Sequence, residues 1–266
     1  MIVKPFEIDK SKVKRIFVFG CSFTNFFWPT WANIVSKEIP QATLYNFGIS
    51  GLGNLAISCK VSEAHVKFQF NENDLVMILW STFLREDRWV NGRWFGAGNV
   101  YNTGFYDKNF TETYSDVCGY LIRDCSLINM TTTFLDTLPC QSFLMLSVPL
   151  DYLEKDYERN DEIYEKVINL YKPLFAKMPK SLFEHVTLDG SWPITHTYEY
   201  PEFFGPHSDS HPGPEKYCSY IHENVMRLSQ NTFDYAVQAN KELLSFTHKS
   251  EIAQHFEYDR KDYMLF

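Results

Sequence analysis

Residues 74–80 read Asp-Leu-Val-Met-Ile-Leu-Trp, six apolar residues in succession with no polar alternation. A strand of that composition has no face to turn to water, so it belongs in a parallel sheet that helices cover on both sides. The neighbouring segments repeat the theme. Residues 13–19 form a strand whose run Ile16-Phe17-Val18-Phe19 ends at Gly20, and residues 42–47 form a second that ends in a glycine turn starting at Gly48. A fourth strand is expected at 142–148. Helical patterns lie between them: at 31–39, with Trp31, Ile34, Val35 and Ile39 on one face before Pro40 stops it, and at 55–70, 114–138 and 161–175. Two more are expected at 214–228 and 233–246. Strands alternating with helices imply right-handed crossovers and an α/β fold, a three-layer α/β/α sandwich with a short parallel sheet.

The chain of 266 residues is read as one domain carrying two departures from this rhythm. Residues 81–116, rich in Gly, Asn, Trp and Tyr, are an insertion without lasting periodicity, and 188–214, rich in Pro and aromatics, read as a long loop. Loops of that length inside a compact domain tend to be functional. The polar, aromatic tail beyond about residue 247 receives no assignment.

Composition removes several function classes. With 25 basic against 33 acidic residues the net charge is −8, and no basic cluster exceeds the stretch 10–15, so nucleic acid is not an expected partner. No apolar run approaches the roughly 20 residues of a membrane span, and charges at Lys4, Glu7, Asp9 and Lys10 leave no signal-peptide core. A soluble, cytoplasmic protein is expected. The six cysteines include no C-x-x-C pair and read as reduced thiols.

The chemistry is carried by residues far apart in the chain. Gly20-Cys21-Ser22-Phe23-Thr24 puts a hydroxyl just past the carboxyl end of the first strand, the edge of an open α/β sheet where ligands bind. A serine hydroxyl is too weak an acid to attack a carbonyl unaided. It needs an imidazole within hydrogen-bond reach, and the imidazole needs a carboxylate to fix its tautomer. Asp209-Ser-His211-Pro212 supplies both on the late loop. The glycine turn Gly48-Ile-Ser-Gly51-Leu-Gly53-Asn54 lets backbone N–H groups approach a developing oxyanion with no side chain in the way, and Asn54 adds a candidate amide donor. Other readings stand beside these. A Gly-x-Ser turn also binds phosphate or simply closes a βα unit, His207 is a reserve base, and His207, Asp209 and His211 alternate in a way that suits zinc in an extended segment.

In ordered blocks, these segments resemble the SGNH, or GDSL-type, serine hydrolase family. Gly20-Cys21-Ser22-Phe23-Thr24 is similar to the first block, with Ser22 at the nucleophile position; Asn46-Phe-Gly-Ile-Ser-Gly51 to the second, whose last glycine donates to the oxyanion; and Asp209-Ser-His211-Pro212 to the fifth. The resemblance implies an SGNH-hydrolase or flavodoxin-like sheet, a Ser22–His211–Asp209 triad, oxyanion donors at Ser22 and Gly51, and no cofactor or metal. It departs from the family in three places. Cys21 stands where Asp is usual, Asp209 lies two rather than three residues before His211, and Trp80-Ser81-Thr82 replaces the Gly-x-Asn of the third block. The missing asparagine leaves Ser81, Thr82 or Asn54 as candidates for a further oxyanion donor.

The activity implied is that of a carboxylic ester hydrolase acting on small acyl groups, with O-acetyl esters of a carbohydrate favoured by the aromatic, Asn-rich insertion. Arg85, Trp89 and Trp94 are the substrate-contact candidates there. An O-acyltransferase and a catalytically inactive glycan-binding protein are the alternatives.

Overall fold

The computed structural model describes residues 8–101, 106–153, 157–187, 190–200 and 206–257. In chain order the elements are β1 (Arg15–Phe19), α1 (Trp31–Glu38), β2 (Thr43–Asn46), α2 (Asn54–Phe68), β3 (Asp74–Trp80), β4 (Arg85–Val90), β5 (Arg93–Asn99), α3 (Lys108–Thr113) and α4 (Val117–Asp136). There follow β6 (Gln141–Leu146), α5 (Asp161–Phe175), α6 (Leu182–Val186), β7 (His196–Glu199), β8 (Pro206–Asp209), α7 (Pro214–Asn224), α8 (Gln230–Leu243) and α9 (Lys249–His255).

The central sheet has the order β2-β1-β3-β6 with all pairs parallel. Every residue of β3 is buried, as its unbroken apolar run requires. Side chains alternate between two cores. Phe17, Phe19, Val76, Ile78 and Trp80 face a layer built from α2, α4 and α5. Ile16, Val18, Leu75, Met77 and Leu79 face a layer built from α1, α6, α7 and α8. That is the expected three-layer α/β/α sandwich. Among the described residues no helix is long and apolar enough to cross a membrane.

Three regions differ from the sequence expectation. The insertion after β3 contains an antiparallel hairpin, β4–β5, in which Trp89 pairs with Trp94 across the strands. The stretch expected to be a plain loop holds a second hairpin, β7–β8, with His196 opposite Asp209 and Tyr198 opposite His207. The helix expected to run to 228 stops at Asn224, and the tail contributes α9. A third small core, Trp28, Tyr198, Leu243 and Ile252, joins the first-block loop to β7, α8 and α9.

Candidate active site

The carboxyl edge of the sheet is where the site is assembled. After β1 the chain turns tightly: the Thr24 N–H donates to Cys21 O at 2.9 Å, and the Thr24 carbonyl accepts from Thr30 Oγ1 at 2.7 Å and Asn46 Nδ2 at 3.0 Å. Gly20 is required by this packing, since a Cβ there would lie 2.1 Å from Thr24 Oγ1. Asn46 thereby ties the turn after β2 to the turn after β1, and Asn25 Nδ2 adds a bond to Gly48 O at 3.2 Å. Ser22 is held on this double turn, nearly buried, while Cys21 beside it is wholly buried.

Ser22, His211 and Asp209 come together. His211 Nε2 lies 2.8 Å from Ser22 Oγ, and His211 Nδ1 lies 2.7 Å from Asp209 Oδ1. The two-residue spacing that departs from the family works through an Asx turn. Asp209 Oδ1 also accepts the backbone N–H of His211 at 2.8 Å, so one oxygen fixes both the main chain and the ring of the same residue. The other oxygen, Oδ2, accepts from the Tyr198 hydroxyl at 2.8 Å. Strand geometry explains this reach: Tyr198 lies two residues along β7 from His196, the cross-strand partner of Asp209, and so on the same face of the hairpin. Burial works to raise the Asp209 pKa, but the donors from His211 and Tyr198 outweigh it and hold the carboxyl below its ordinary value.

Aromatic rings fix the imidazole in place. Phe26 stacks on His211 with centroids 3.8 Å apart and planes 15° from parallel, Phe23 approaches at 5.1 Å, and Trp192 stacks on Phe23 at 4.9 Å. Trp28 Nε1 donates to Pro212 O at 2.9 Å and anchors the loop that carries the histidine. None of Phe26, Trp28 or Tyr198 stands out in the sequence as a site residue. The alternating His-Thr-Tyr-Glu of β7 was the available signal for Tyr198.

The oxyanion candidates divide. The backbone N–H groups of Ser22 and Gly51 donate to no other described group. Asn54 does not serve. It is fully buried, its Oδ1 accepts the Ser81 N–H at 2.8 Å, and its Nδ2 is spent on Ser81 O at 3.3 Å and Asp124 Oδ2 at 3.1 Å. That same bond occupies the Ser81 N–H, while Ser81 Oγ is buried without a partner. Thr82 Oγ1 accepts from Arg85 Nε at 2.8 Å. Asn54 therefore shapes the turn after β3 rather than facing a substrate.

The substrate-contact candidates are distributed along the β4–β5 hairpin. Arg85 is turned to the scaffold, with Nη1 donating to Leu52 O at 2.9 Å. Trp94 is partly buried against the core with its Nε1 unpartnered, and Trp89 packs edge-on against it at 5.6 Å while remaining half exposed. His207, the reserve base, lies on β8 with its ring beside Tyr198 at 5.7 Å, and among the described residues no three His, Cys, Asp or Glu side chains gather as a metal ligand set.

Tyr198→Phe gives a direct measure of the Asp209 environment. Losing a donor to a carboxylate destabilises its charge, so Asp209 takes up its proton at higher pH. A hydrogen bond to a charged group contributes about 1.5–3 kcal/mol, part of which water replaces, so a rise of about one pH unit is expected. The Asp209 side-chain carboxyl carbon shift followed by NMR through a pH titration reads this; an unmoved midpoint would show that the 2.8 Å contact carries no charge stabilisation.

No family model matches the sequence, and no curated protein matches it. Solved structures do. A member of the lipolytic protein G-D-S-L family from Veillonella parvula DSM 2008 is similar at 14% identity and TM-score 0.30, over 62% of this chain and 74% of that one. A GDSL-like lipase from Bacteroides thetaiotaomicron VPI-5482 is similar at 14% identity and TM-score 0.36, over 90% of this chain and 92% of that one. Neither lends this chain a substrate or a residue's role. By its own strand order this chain is a three-layer α/β/α sandwich on a parallel sheet, and the segments that resemble the SGNH/GDSL-type blocks are gathered at one edge of that sheet.

Proposed function

We propose that the protein is a serine esterase that removes small acyl groups by way of an acyl-enzyme. The observation that carries this reading is the unbroken relay from Ser22 Oγ to His211 at 2.8 Å and from His211 to Asp209 at 2.7 Å. His211 Nε2 takes the Ser22 proton as Oγ attacks the ester carbonyl, and Asp209 holds Nδ1 protonated so that Nε2 is the basic nitrogen. The Ser22 and Gly51 N–H groups receive the oxyanion. His211 then returns its proton to the departing alcohol, and a water activated by the same nitrogen hydrolyses the acyl-enzyme. The family normally adds an asparagine donor that this chain lacks. One missing donor costs about 10²–10³ in rate, which lowers turnover without removing any step.

An acetyl ester of a carbohydrate is the proposed substrate. Flat rings at Phe23 and Phe26 lie against His211, Trp192 stacks on Phe23, and half-exposed Trp89 on the hairpin offers a further face for a sugar's C–H surface. A fluorophosphonate probe tests the reaction class. Ser22 Oγ attacks phosphorus, fluoride leaves and the proton passes to His211, so covalent label mapped to Ser22 reports nucleophile, base and oxyanion donors together. The expected result is stoichiometric label on Ser22 and hydrolysis of an aryl acetate by the same protein. Turnover that appears only when a sugar acceptor is added would assign an O-acyltransferase instead. No label and no turnover, with retained binding of glycans, would assign a non-catalytic binding protein.

A further inference from the structure

The turn that carries Gly51 does not hold its shape alone. Each of its last three residues is gripped through the backbone by the β4–β5 hairpin. Gly98 N–H donates to Gly51 O at 3.2 Å, Arg85 Nη1 donates to Leu52 O at 2.9 Å, and Asp87 Oδ1 accepts the Gly53 N–H at 2.7 Å. The second Asp87 oxygen accepts the Ala56 N–H at 2.9 Å, so this carboxylate, supplied from another element, caps the first turn of α2. Asp87 is 3% exposed. A charge buried this deeply is costly; the Gly53 and Ala56 N–H groups meet it only in part, and burial holds the Asp87 carboxyl above its ordinary value.

The fit is too close for side chains. Gly51 has φ +82°, and a Cβ there would lie 2.6 Å from Gly96 O. A Cβ on Gly96 would lie 2.6 Å from Gly51 C and O, and one on Gly53 would lie 2.7 Å from Arg85 Cβ. Backbone therefore rests on backbone where hairpin and turn cross. With the Gly51 carbonyl and the Gly53 N–H both claimed by the hairpin, the peptide planes on either side of Leu52 are fixed, and the Gly51 N–H is left without a partner.

We infer that the β4–β5 hairpin is the clamp that positions the Gly51 oxyanion donor, with Asp87 and Arg85 as its positioning residues. This rests on the esterase reading and extends it: the insertion after β3, through one main-chain and two side-chain contacts, orders the turn that carries the Gly51 donor. Arg85 is braced for the purpose. Its Nε donates to Thr82 Oγ1 at 2.8 Å, and its own carbonyl accepts from Arg123 Nη2 at 2.6 Å.

Asp87→Ala and Arg85→Met test the clamp, the latter keeping an apolar stem while removing the donors to Leu52 and Thr82, in case the former fails to fold. An arylboronic acid supplies the oxyanion readout. Ser22 Oγ adds to trigonal boron, its proton goes to His211, and one oxygen of the resulting tetrahedral anion takes the oxyanion position. For each folded variant, kcat on an aryl acetate and boronate affinity should both fall by about 10- to 100-fold while KM stays within about twofold, as displacement of a preorganised donor requires. Amide exchange across residues 49–57 should accelerate in parallel. Accelerated exchange with unchanged kcat and boronate affinity would overturn the inference, because the hairpin would then order the turn without serving the oxyanion. So would unchanged exchange in both variants. Failure of the esterase reading looks different: the wild-type protein itself would neither turn over the acetate nor bind the boronate, and both conclusions would fall.

Discussion

Replacing Ser22 by alanine should lower kcat on an aryl acetate by about 10⁶, and replacing His211 by alanine should cost nearly as much. The reason is geometric. Ser22 Oγ has one acceptor poised for its proton, His211 Nε2 at 2.8 Å, and it is brought there by a loop 189 residues later in the chain. Without the imidazole the hydroxyl keeps its proton, and without the hydroxyl the imidazole has no nucleophile to activate. Because the two act as a unit, the double variant should be scarcely worse than either single one. What survives, about 10³ over the uncatalysed rate, comes from the N–H donors and from binding. Steady-state rates at high enzyme concentration check this, with thermal unfolding as the control for folding. Should Ser22→Ala keep more than a hundredth of the wild-type rate, the nucleophile would have to be sought elsewhere, and the neighbouring Cys21 thiol is fully buried.

The sheet was legible because its signal is local. The expected strand 74–80 coincides with β3, and the expected helix 161–175 with α5, each bounded by residues that break the pattern. Ser22, His211 and Asp209 could be singled out because a serine at a strand end and a carboxylate and an imidazole two residues apart on one loop leave a trace in a single sequence. The β4–β5 hairpin was harder. Its strands, Arg-Glu-Asp-Arg-Trp-Val and Arg-Trp-Phe-Gly-Ala-Gly-Asn, carry charges and glycines where alternating apolar residues would announce a strand. One local signal was present: Asn91-Gly92, whose φ values of 51° and 77° are those of the tight turn that Asn-Gly favours between antiparallel strands. Asn54 shows the other limit. An asparagine behind a glycine turn reads as an exposed donor, and only the tertiary approach of Ser81 and Asp124 shows its amide to be committed. Burial pushes Asp124 up to about 6 despite the guanidinium of its sequence neighbour Arg123.

Asp209→Asn should reduce kcat by about 10⁴ while leaving the fold in place. In the native site, Oδ1 accepts from both the His211 N–H and Nδ1, and Oδ2 accepts from the Tyr198 hydroxyl. An asparagine can keep an acceptor at only one of the two positions. If its oxygen faces His211, its NH₂ meets the Tyr198 hydroxyl, which must turn its own proton elsewhere in a buried setting. If its oxygen faces Tyr198, its NH₂ donates to Nδ1, the ring carries its proton on Nε2, and that nitrogen can no longer accept from Ser22. The second arrangement removes the base and accounts for the large loss. Stability should report the same change with a definite sign. The Asp209 pKa is lowered in the folded protein, so its ionised form contributes stability that is present above the ordinary carboxylate range and lost as the pH falls through the lower folded-state value. The gap in unfolding free energy between wild type and Asp209→Asn should therefore be widest near neutral pH and close on acidification. A gap that widened as the pH fell would mean that Asp209 is held in its protonated form, and the relay would then lack the charge that orients His211.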